Sequence, residues 1–481
     1  MAQLLISAAY KSSGKTTLSI GLCAALAGQG YVVQPFKKGP DYIDPMWLGQ
    51  AAGRPCFNLD PYLMASADIR DLFDKYQAQA DVTLVEGNKG LYDGLALDGS
   101  NSNAALAHQL DLPVILVLDT RGITRGIAPL LLGYQAFDPK IRIAGVILNR
   151  VGGARHEAKL RAVIERYTDI TVVGSVHEDK SLALTERHLG LIPSQEHGDS
   201  QALIKRLAQA VHDQVDLKKL LHAIGAAPAK TADSRPPEPA RDTTLNAGKV
   251  DAPGVRIGIA RDKAFGFYYP DDLLALQHAG ATLLPFDTLN DETLPENLDA
   301  LFIGGGFPEM FLTELQANES LRSVIGKRIG EGLPVYAECG GLMYLSQSIT
   351  WRDQRCNMVG AIAADVHLHD KPIGRGYVSL ESTEHMPWPG LRGQSVKGHE
   401  FHYSSLSGLS SQTRYAWRVS RGHGIDGQND GIVQGRLLAS YAHLRDLAGT
   451  GWAEQFVRFV RDCRTQDRTK SLSMPGLEIV N

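Results

Sequence analysis

The sequence lacks most of the marks of a special environment. Its five cysteines, Cys23, Cys56, Cys339, Cys356 and Cys463, are an odd number with no C-x-x-C pair. Neither a disulfide framework nor a cysteine zinc site is indicated, and a reducing, cytoplasmic setting is expected. No apolar run approaches the roughly 18 residues that a membrane helix needs, so no membrane partner is expected. The apolar start at 4–9 has no basic flank and runs straight into a glycine-lysine motif, which reads as a first strand and not a signal peptide. Basic excess is missing too: a formal net charge of -4 gives no reason to expect a nucleic-acid partner. There is no internal repeat. What is present is ordinary, 481 residues that are 43% hydrophobic and 21% charged, enough for about two to four domains and suited to small-molecule chemistry.

Short apolar runs at 4–8, 32–36, 82–85, 114–118, 143–148 and 170–173 alternate with helix-length segments. That is the pattern of an α/β fold with a doubly wound parallel sheet covered on both faces. Between 223 and 253 periodicity is lost and Pro, Ala and charge accumulate, which is linker composition. A second α/β pattern follows, with runs at 255–260, 282–285, 300–303 and one leading to Cys339. After Gly374 come shorter β-leaning pieces and a closing helix near 452–461. The expected organisation is a first domain at 1–222, a linker at 223–253, a second domain at 254–465 and a tail at 466–481.

The first strand runs into A-A-Y-K-S-S-G-K-T-T at 8–17, the P-loop pattern G-x-x-x-x-G-K-[ST] with Ala9 in place of its first glycine. Such a loop holds phosphate oxygens on backbone N–H groups at a helix start, so ATP is expected at Lys11, Ser12, Ser13, Gly14, Lys15, Thr16 and Thr17. Lys15 would reach the terminal phosphates and Thr16 would ligate magnesium. Tyr10 stands where the partitioning type of P-loop ATPase carries its signature lysine, which counts against a switch pairing across a dimer and leaves a homodimer open. Further candidates follow other strands: Lys37, Lys38, Asp41, Tyr42 and Asp44 in F-K-K-G-P-D-Y-I-D-P, Glu86, Lys89 and Asp93 in E-G-N-K-G-L-Y-D-G, Arg121 and Arg125 in D-T-R-G-I-T-R. In an open α/β sheet the crevice lies beyond the carboxyl ends of the strands, where these residues would converge. Glu86, with Asp41 or Asp44, suits magnesium; Lys37, Lys38, Lys89, Arg121 and Arg125 suggest a positive pocket for a polyanionic substrate, with Tyr42 and Asp93 beside them. Each charge alone also fits a solvated loop. Asn149, at the end of G-V-I-L-N-R-V, suits an adenine edge or a turn equally.

In L-P-V-Y-A-E-C-G-G-L-M-Y-L at 333–345 a buried strand stops at Cys339 and a Gly pair opens a helix-compatible segment. A cysteine on that turn would be exposed and its thiolate favoured, although a buried structural cysteine fits the stretch alone as well. Upstream, L-F-I-G-G-G-F-P-E lets backbone pass close to a ligand, and N–H groups of Gly305 and Gly306, with that of Gly340, would serve an oxyanion. For a base, spacing leaves His399, His402 and His443 open.

Together these motifs resemble the cobyrinic acid a,c-diamide synthase family, glutamine-dependent amidases of tetrapyrrole carboxylates. The carriers are K-G-P-D-Y-I-D-P at 38–45, G-V-I-L-N-R-V at 145–151, G-G-G-F-P-E at 304–309, Y-A-E-C-G-G-L-M-Y-L at 336–345 and G-H-E-F-H-Y-S at 398–404. The resemblance implies a dethiobiotin synthetase-like ATPase domain joined to a class I glutamine amidotransferase domain. It implies Cys339 as nucleophile, His443 as its base, Lys15, Thr16 and Glu86 at nucleotide and Mg2+, Asn149 at the adenine, and as partners L-glutamine and a tetrapyrrole polycarboxylate activated as an acyl phosphate. Class I relatives place a Glu two residues after the histidine. Here Arg445 stands there, so a dyad, or another acid such as Glu400, is expected. Asn88 and Lys89 after Gly87, with G-Y-Q-A-F-D at 133–138, look more like a branch acting on sirohaem or nickel-sirohydrochlorin. Cobyric acid synthase, and a P-loop regulator with an inactive amidotransferase domain, are the rival readings.

Overall fold

Each strand-length apolar run expected in the first half overlaps a strand: β1 (Ala2–Ala8), β2 (Val33–Lys38), β4 (Val82–Glu86), β5 (Val114–Asp119), β6 (Ile143–Val151) and β7 (Val172–His177). A further short strand, β3 (Phe57–Leu59), was not expected; three residues give no periodicity to detect. All pair in parallel in the order β3-β2-β4-β1-β5-β6-β7. Their Val, Ile and Leu side chains, Ile143 apart, are buried on both faces, as helix-covered parallel sheets require. On one face the helix Lys15–Gly28 packs against Ser200–Gln214, close enough at Gly21 that a Cβ there would stand 2.6 Å from Val211.

The structure, a computed structural model, describes residues 2–184, 186–187, 190–196, 198–225, 254–447 and 450–473. The expected linker lies outside the described residues from 226 on, and the tail from 474. Contacts divide the chain into two units, Met1–Thr243 and Thr244–Asn481.

The second unit is built on a nine-stranded mixed sheet. Its parallel part comprises β8 (Val255–Ala260), β9 (Ala281–Phe286), β10 (Ala300–Ile303) and β11 (Val335–Glu338). The pieces after Gly374 extend the same sheet as β12 (Gly374–Ser382), β13 (Ser395–His402), β14 (Arg414–Arg421), β15 (Asn429–Gln434) and β16 (Leu437–Ser440). The order is β9-β8-β10-β11-β16-β15-β14-β12-β13, parallel as far as β16 and antiparallel beyond it. One face is closed by Phe302, Tyr336, Trp388, Trp452 and Phe456 in mutual ring contact. Trp452 and Phe456 come from the last helix, Trp452–Ser473, which runs past the expected boundary at 465.

Candidate active sites

The first site lies where β1, β2 and β4 end. Gly14 adopts φ 87 at the head of the helix Lys15–Gly28, a left-handed conformation that glycine takes at little cost. Asn149 and Arg150 at the end of β6 brace this loop: Asn149 Nδ2 donates to the Ser13 carbonyl at 2.9 Å, and Arg150 to the Ser12 carbonyl at 3.0 Å. Arg150 also pairs with Asp119 at 2.7 Å, a loop support that the sequence reading passed over although it adjoins Asn149. Lys15 Nζ donates to the Lys89 carbonyl at 2.6 Å, and burial lowers its pKa to about 8 against the pull of Glu86.

Beside it Thr16 Oγ1 lies 2.8 Å from Glu86 Oε1 and 3.3 Å from Asp44 Oδ2. Lys37 Nζ sits among the same oxygens, 2.5 Å from Asp44 and 2.9 Å from Glu86. Burial alone would lower the pKa of Lys37, but Asp44, Glu86 and Asp41 hold it well above the ordinary lysine value. Of the two aspartates expected here, Asp44 meets Thr16 and Lys37. Asp41 instead accepts the N–H groups of Ile43 and Asp44 with one oxygen, and burial beside Asp44 raises its pKa to about 7. Glu86 Oε2 is buried with no hydrogen-bond partner among the described residues, and two carboxylates plus a hydroxyl are hard oxygen donors, so the set fits Mg2+.

The expected positive pocket divides. Lys37 is neutralised, while Lys38 donates to Asn88 at 3.2 Å and is lowered by burial to about 8. Lys89 is exposed on the loop after β4, where Asp93 accepts from Gly90 N at 2.9 Å, and Tyr42 is buried. Arg121 and Arg125 lie across the P-loop after β5: Arg121 pairs with Asp119 at 2.8 Å, and Arg125 stacks on Tyr167 at 5.4 Å. Lys11, Ser12, Ser13 and Thr17 stay on the loop and its helix start.

The second site forms because β11 and β16 are neighbouring parallel strands with Glu338 opposite Ser440. Cys339 and the segment Tyr441 to His443 therefore leave the sheet side by side. Cys339 takes φ 47 and ψ -103, outside the regions open to ordinary residues, at the head of the short helix Gly340–Leu345. Its Sγ lies 3.9 Å from the Phe401 carbonyl. His443 hydrogen bonds to Cys339 through one side of its ring, and Nδ1 faces Glu338 Oε2 at 3.1 Å. Burial would lower the pKa of this histidine; the bonds to Cys339 and Glu338 outweigh it and push it up to about 10. Glu338 is itself fixed by Tyr336 Oη at 2.6 Å and Leu444 N at 3.0 Å.

The acid that meets the histidine is thus Glu338, and neither a bare dyad nor Glu400 stands here. Glu400 binds the N–H groups of His423 and Gly424 at 2.7 and 2.8 Å. Arg445 turns to Asp271 at 2.7 Å. Of the other histidines, His399 pairs with His443 through backbone bonds and is lowered by burial to about 3, and His402 stacks on Tyr441. Gly305, Gly306 and Gly340 line the site. A Cβ on Gly305 would stand 2.6 Å from His443 Cε1, and one on Gly340 would stand 3.0 Å from Gly306 N. A buried cysteine beside a histidine held by a carboxylate, with glycine backbone at its side, is an arrangement capable of thiolate acyl transfer.

The family described as CobB/CobQ-like glutamine amidotransferase domain matches residues 256–448, and the AAA domain matches residues 2–185. Fold and sites define an ATP-using, amide-forming ligase with a glutamine amidotransferase domain. A curated protein of Magnetococcus marinus named cobyrinate a,c-diamide synthase is 43% identical over 96% of this chain and 97% of its own. Proteins of the same name are 40% identical in Methanosarcina acetivorans, covering 93% and 94%, and in Syntrophotalea carbinolica, covering 95% and 98%. The chain belongs to the cobyrinate a,c-diamide synthase family. Among the described residues no helix is long and apolar enough to cross a membrane.

Proposed function

We propose that this chain amidates the a- and c-acetate carboxylates of a cobyrinate-type tetrapyrrole, with ATP as activator and L-glutamine as nitrogen donor. The observation that carries the reading is the Cys339, His443 and Glu338 chain of contacts in the same polypeptide as a P-loop. A carboxylate is a poor electrophile, so an acetate oxygen takes the γ-phosphoryl group of ATP as the bond to ADP breaks. Lys15 faces the phosphates, and Thr16, Asp44 and Glu86 would hold Mg2+, which supplies charge neutralisation when bound. Thr17 and residues 11–14 complete the nucleotide cradle, with Asn149 as its brace and the candidate for the adenine.

In the second unit the Cys339 thiolate attacks the side-chain amide carbonyl of glutamine. N–H groups at Gly305, Gly306 and Gly340 face the resulting oxyanion. His443 gives its proton to the leaving ammonia and then takes one from the water that hydrolyses the thioester to glutamate. Ammonia displaces phosphate from the acyl phosphate and leaves the amide. Lys38, Lys89, Arg121 and Arg125 are candidates for the substrate carboxylates, with Tyr42 and Asp93 beside them at the substrate. Asn88 and Lys89 favour a second reading, a sirohaem or nickel-sirohydrochlorin substrate, because Lys89 gives its carbonyl to Lys15 and adds an exposed cation next to the phosphates.

The decisive experiment offers cobyrinate, sirohaem and nickel-sirohydrochlorin side by side and counts amidations by mass spectrometry. Cys339→Ser is expected to abolish glutamine-dependent amidation of the accepted macrocycle and to leave activity with added ammonia. Loss with both donors, or no amidation of any macrocycle by the unaltered protein, overturns the reading.

A further inference from the structure

Seven large apolar or aromatic side chains are prominently exposed among the described residues, and all belong to the first unit: Tyr10, Val32, Leu95, Leu97, Leu132, Phe137 and Tyr167. Exposed apolar area of this kind is ordinary when scattered and informative when gathered. Three of the seven lie on one loop and on the helix end that this loop meets through Tyr92. Leu95 and Leu97 lie on the loop after β4, 56% and 110% exposed, and Phe137, 74% exposed, closes the helix Ile127–Phe137. The Phe137 ring stands 4.7 Å from that of Tyr92, which lies on the same loop. Tyr92 is not free to turn away, because its hydroxyl donates to the Tyr134 carbonyl at 2.6 Å.

The same loop touches the phosphate apparatus. Lys15 Nζ holds the Lys89 carbonyl, and Leu91 N donates to the Ala8 carbonyl at 2.8 Å, so the backbone leading to Tyr92 is pinned to the P-loop. Tyr134, one turn before Phe137, donates its hydroxyl to the Ala9 carbonyl. Tyr92 and Phe137 are thereby held close to the P-loop, and exposed Lys89, Leu95 and Leu97 belong to the same stretch after β4.

We infer that Tyr92, Leu95, Leu97 and Phe137 form the docking shelf for the flat, apolar face of the macrocycle, with Lys89 taking one of its peripheral carboxylates. The inference rests on the proposed tetrapyrrole function and deepens it. A planar macrocycle edged with carboxylates needs two things together, an apolar surface for its face and cations at its edge, and it must bring one acetate to the phosphoryl donor. The shelf offers the surface and Lys89 the cation, a few residues along one chain from the loop that holds Lys15. A second copy of this chain would also cover apolar residues, but it would have no use for a shelf tied to the P-loop.

The test compares the unaltered protein with Phe137→Asp and Leu97→Asp, both at exposed positions where the fold has little to lose. Equilibrium binding of cobyrinate is followed by its visible absorption, ATP affinity and ammonia-dependent kinetics are measured alongside, and mass in solution is read by sedimentation. The expected result is a roughly ten-fold or greater rise in the macrocycle Kd and KM, with ATP affinity and glutaminase activity unchanged. Unchanged macrocycle affinity overturns the shelf, and a change in oligomeric state without a change in affinity assigns it to a second copy instead. Failure of the unaltered protein to bind any macrocycle strikes the proposed function and not the shelf alone.

Discussion

Glu338 carries the sharpest consequence at the scale of a residue. It is buried, it accepts from Tyr336 and from Leu444 N, and its other oxygen faces His443. Its carboxylate stabilises the imidazolium, one of the two bonds that push His443 up to about 10. Because the folded pKa is raised, the charged form persists below about 10 and is lost as pH rises through that value. Glu338→Gln removes the carboxylate's charge and keeps its shape, so the alkaline limb of glutaminase kcat/KM is expected to move to lower pH, with kcat down at least ten-fold at neutral pH. A profile with an unmoved alkaline limb would show that Glu338 serves only to hold the strand. The sequence carries a signal for this residue: an acid ends the otherwise apolar β11 immediately before the candidate nucleophile, and strand alternation puts it on the same face as Tyr336. The class I spacing points two residues past the histidine, to Arg445, whereas Glu338 reaches His443 from the neighbouring strand.

Elements decide which candidate residues meet. The strand runs were legible because buried parallel strands are continuous in Val, Ile and Leu, and the P-loop was legible because phosphate binding at a helix start restricts residue types at fixed spacing. What could not be read was direction. Asp41 and Asp44 sit three residues apart in one motif, yet Asp41 is spent on the backbone N–H groups of Ile43 and Asp44 while Asp44 reaches Thr16. The five basic residues follow strands that all end on one side, but β1 lies between β4 and β5, so Arg121 and Arg125 stand across the P-loop from Lys37 and Lys38. Only the strand order separates them. In the glycine turn packing by itself excludes a side chain: a Cβ on Gly306 would collide with the Ala264 carbonyl oxygen. Gly306→Ala must push apart the pairing of 305–306 with Phe265–Phe267, and a cost of about 1–3 kcal/mol is expected, seen as a lowered Tm together with lost glutaminase activity. A stable, fully active variant would mean that this backbone can shift freely.

At the scale of the whole molecule two units carry separate candidate sites on separate sheets. Lesions should therefore sort by unit. Lys15→Ala is expected to abolish amidation with either glutamine or ammonia, because in the proposed mechanism it strikes the phosphoryl transfer that makes the electrophile, and survival of the ammonia reaction would refute the role proposed for Lys15. Cys339 and His443 are far apart in sequence and meet only when Val335–Glu338 and Leu437–Ser440 lie in register, with strands from 374 to 434 folded against them. Contacts so distant in sequence close slowly, since a long loop must be ordered before any pairing rewards it. On dilution from denaturant, the return of glutaminase activity should trail the return of helical signal. Thiol chemistry in this chain is thus a clock for the last register to lock.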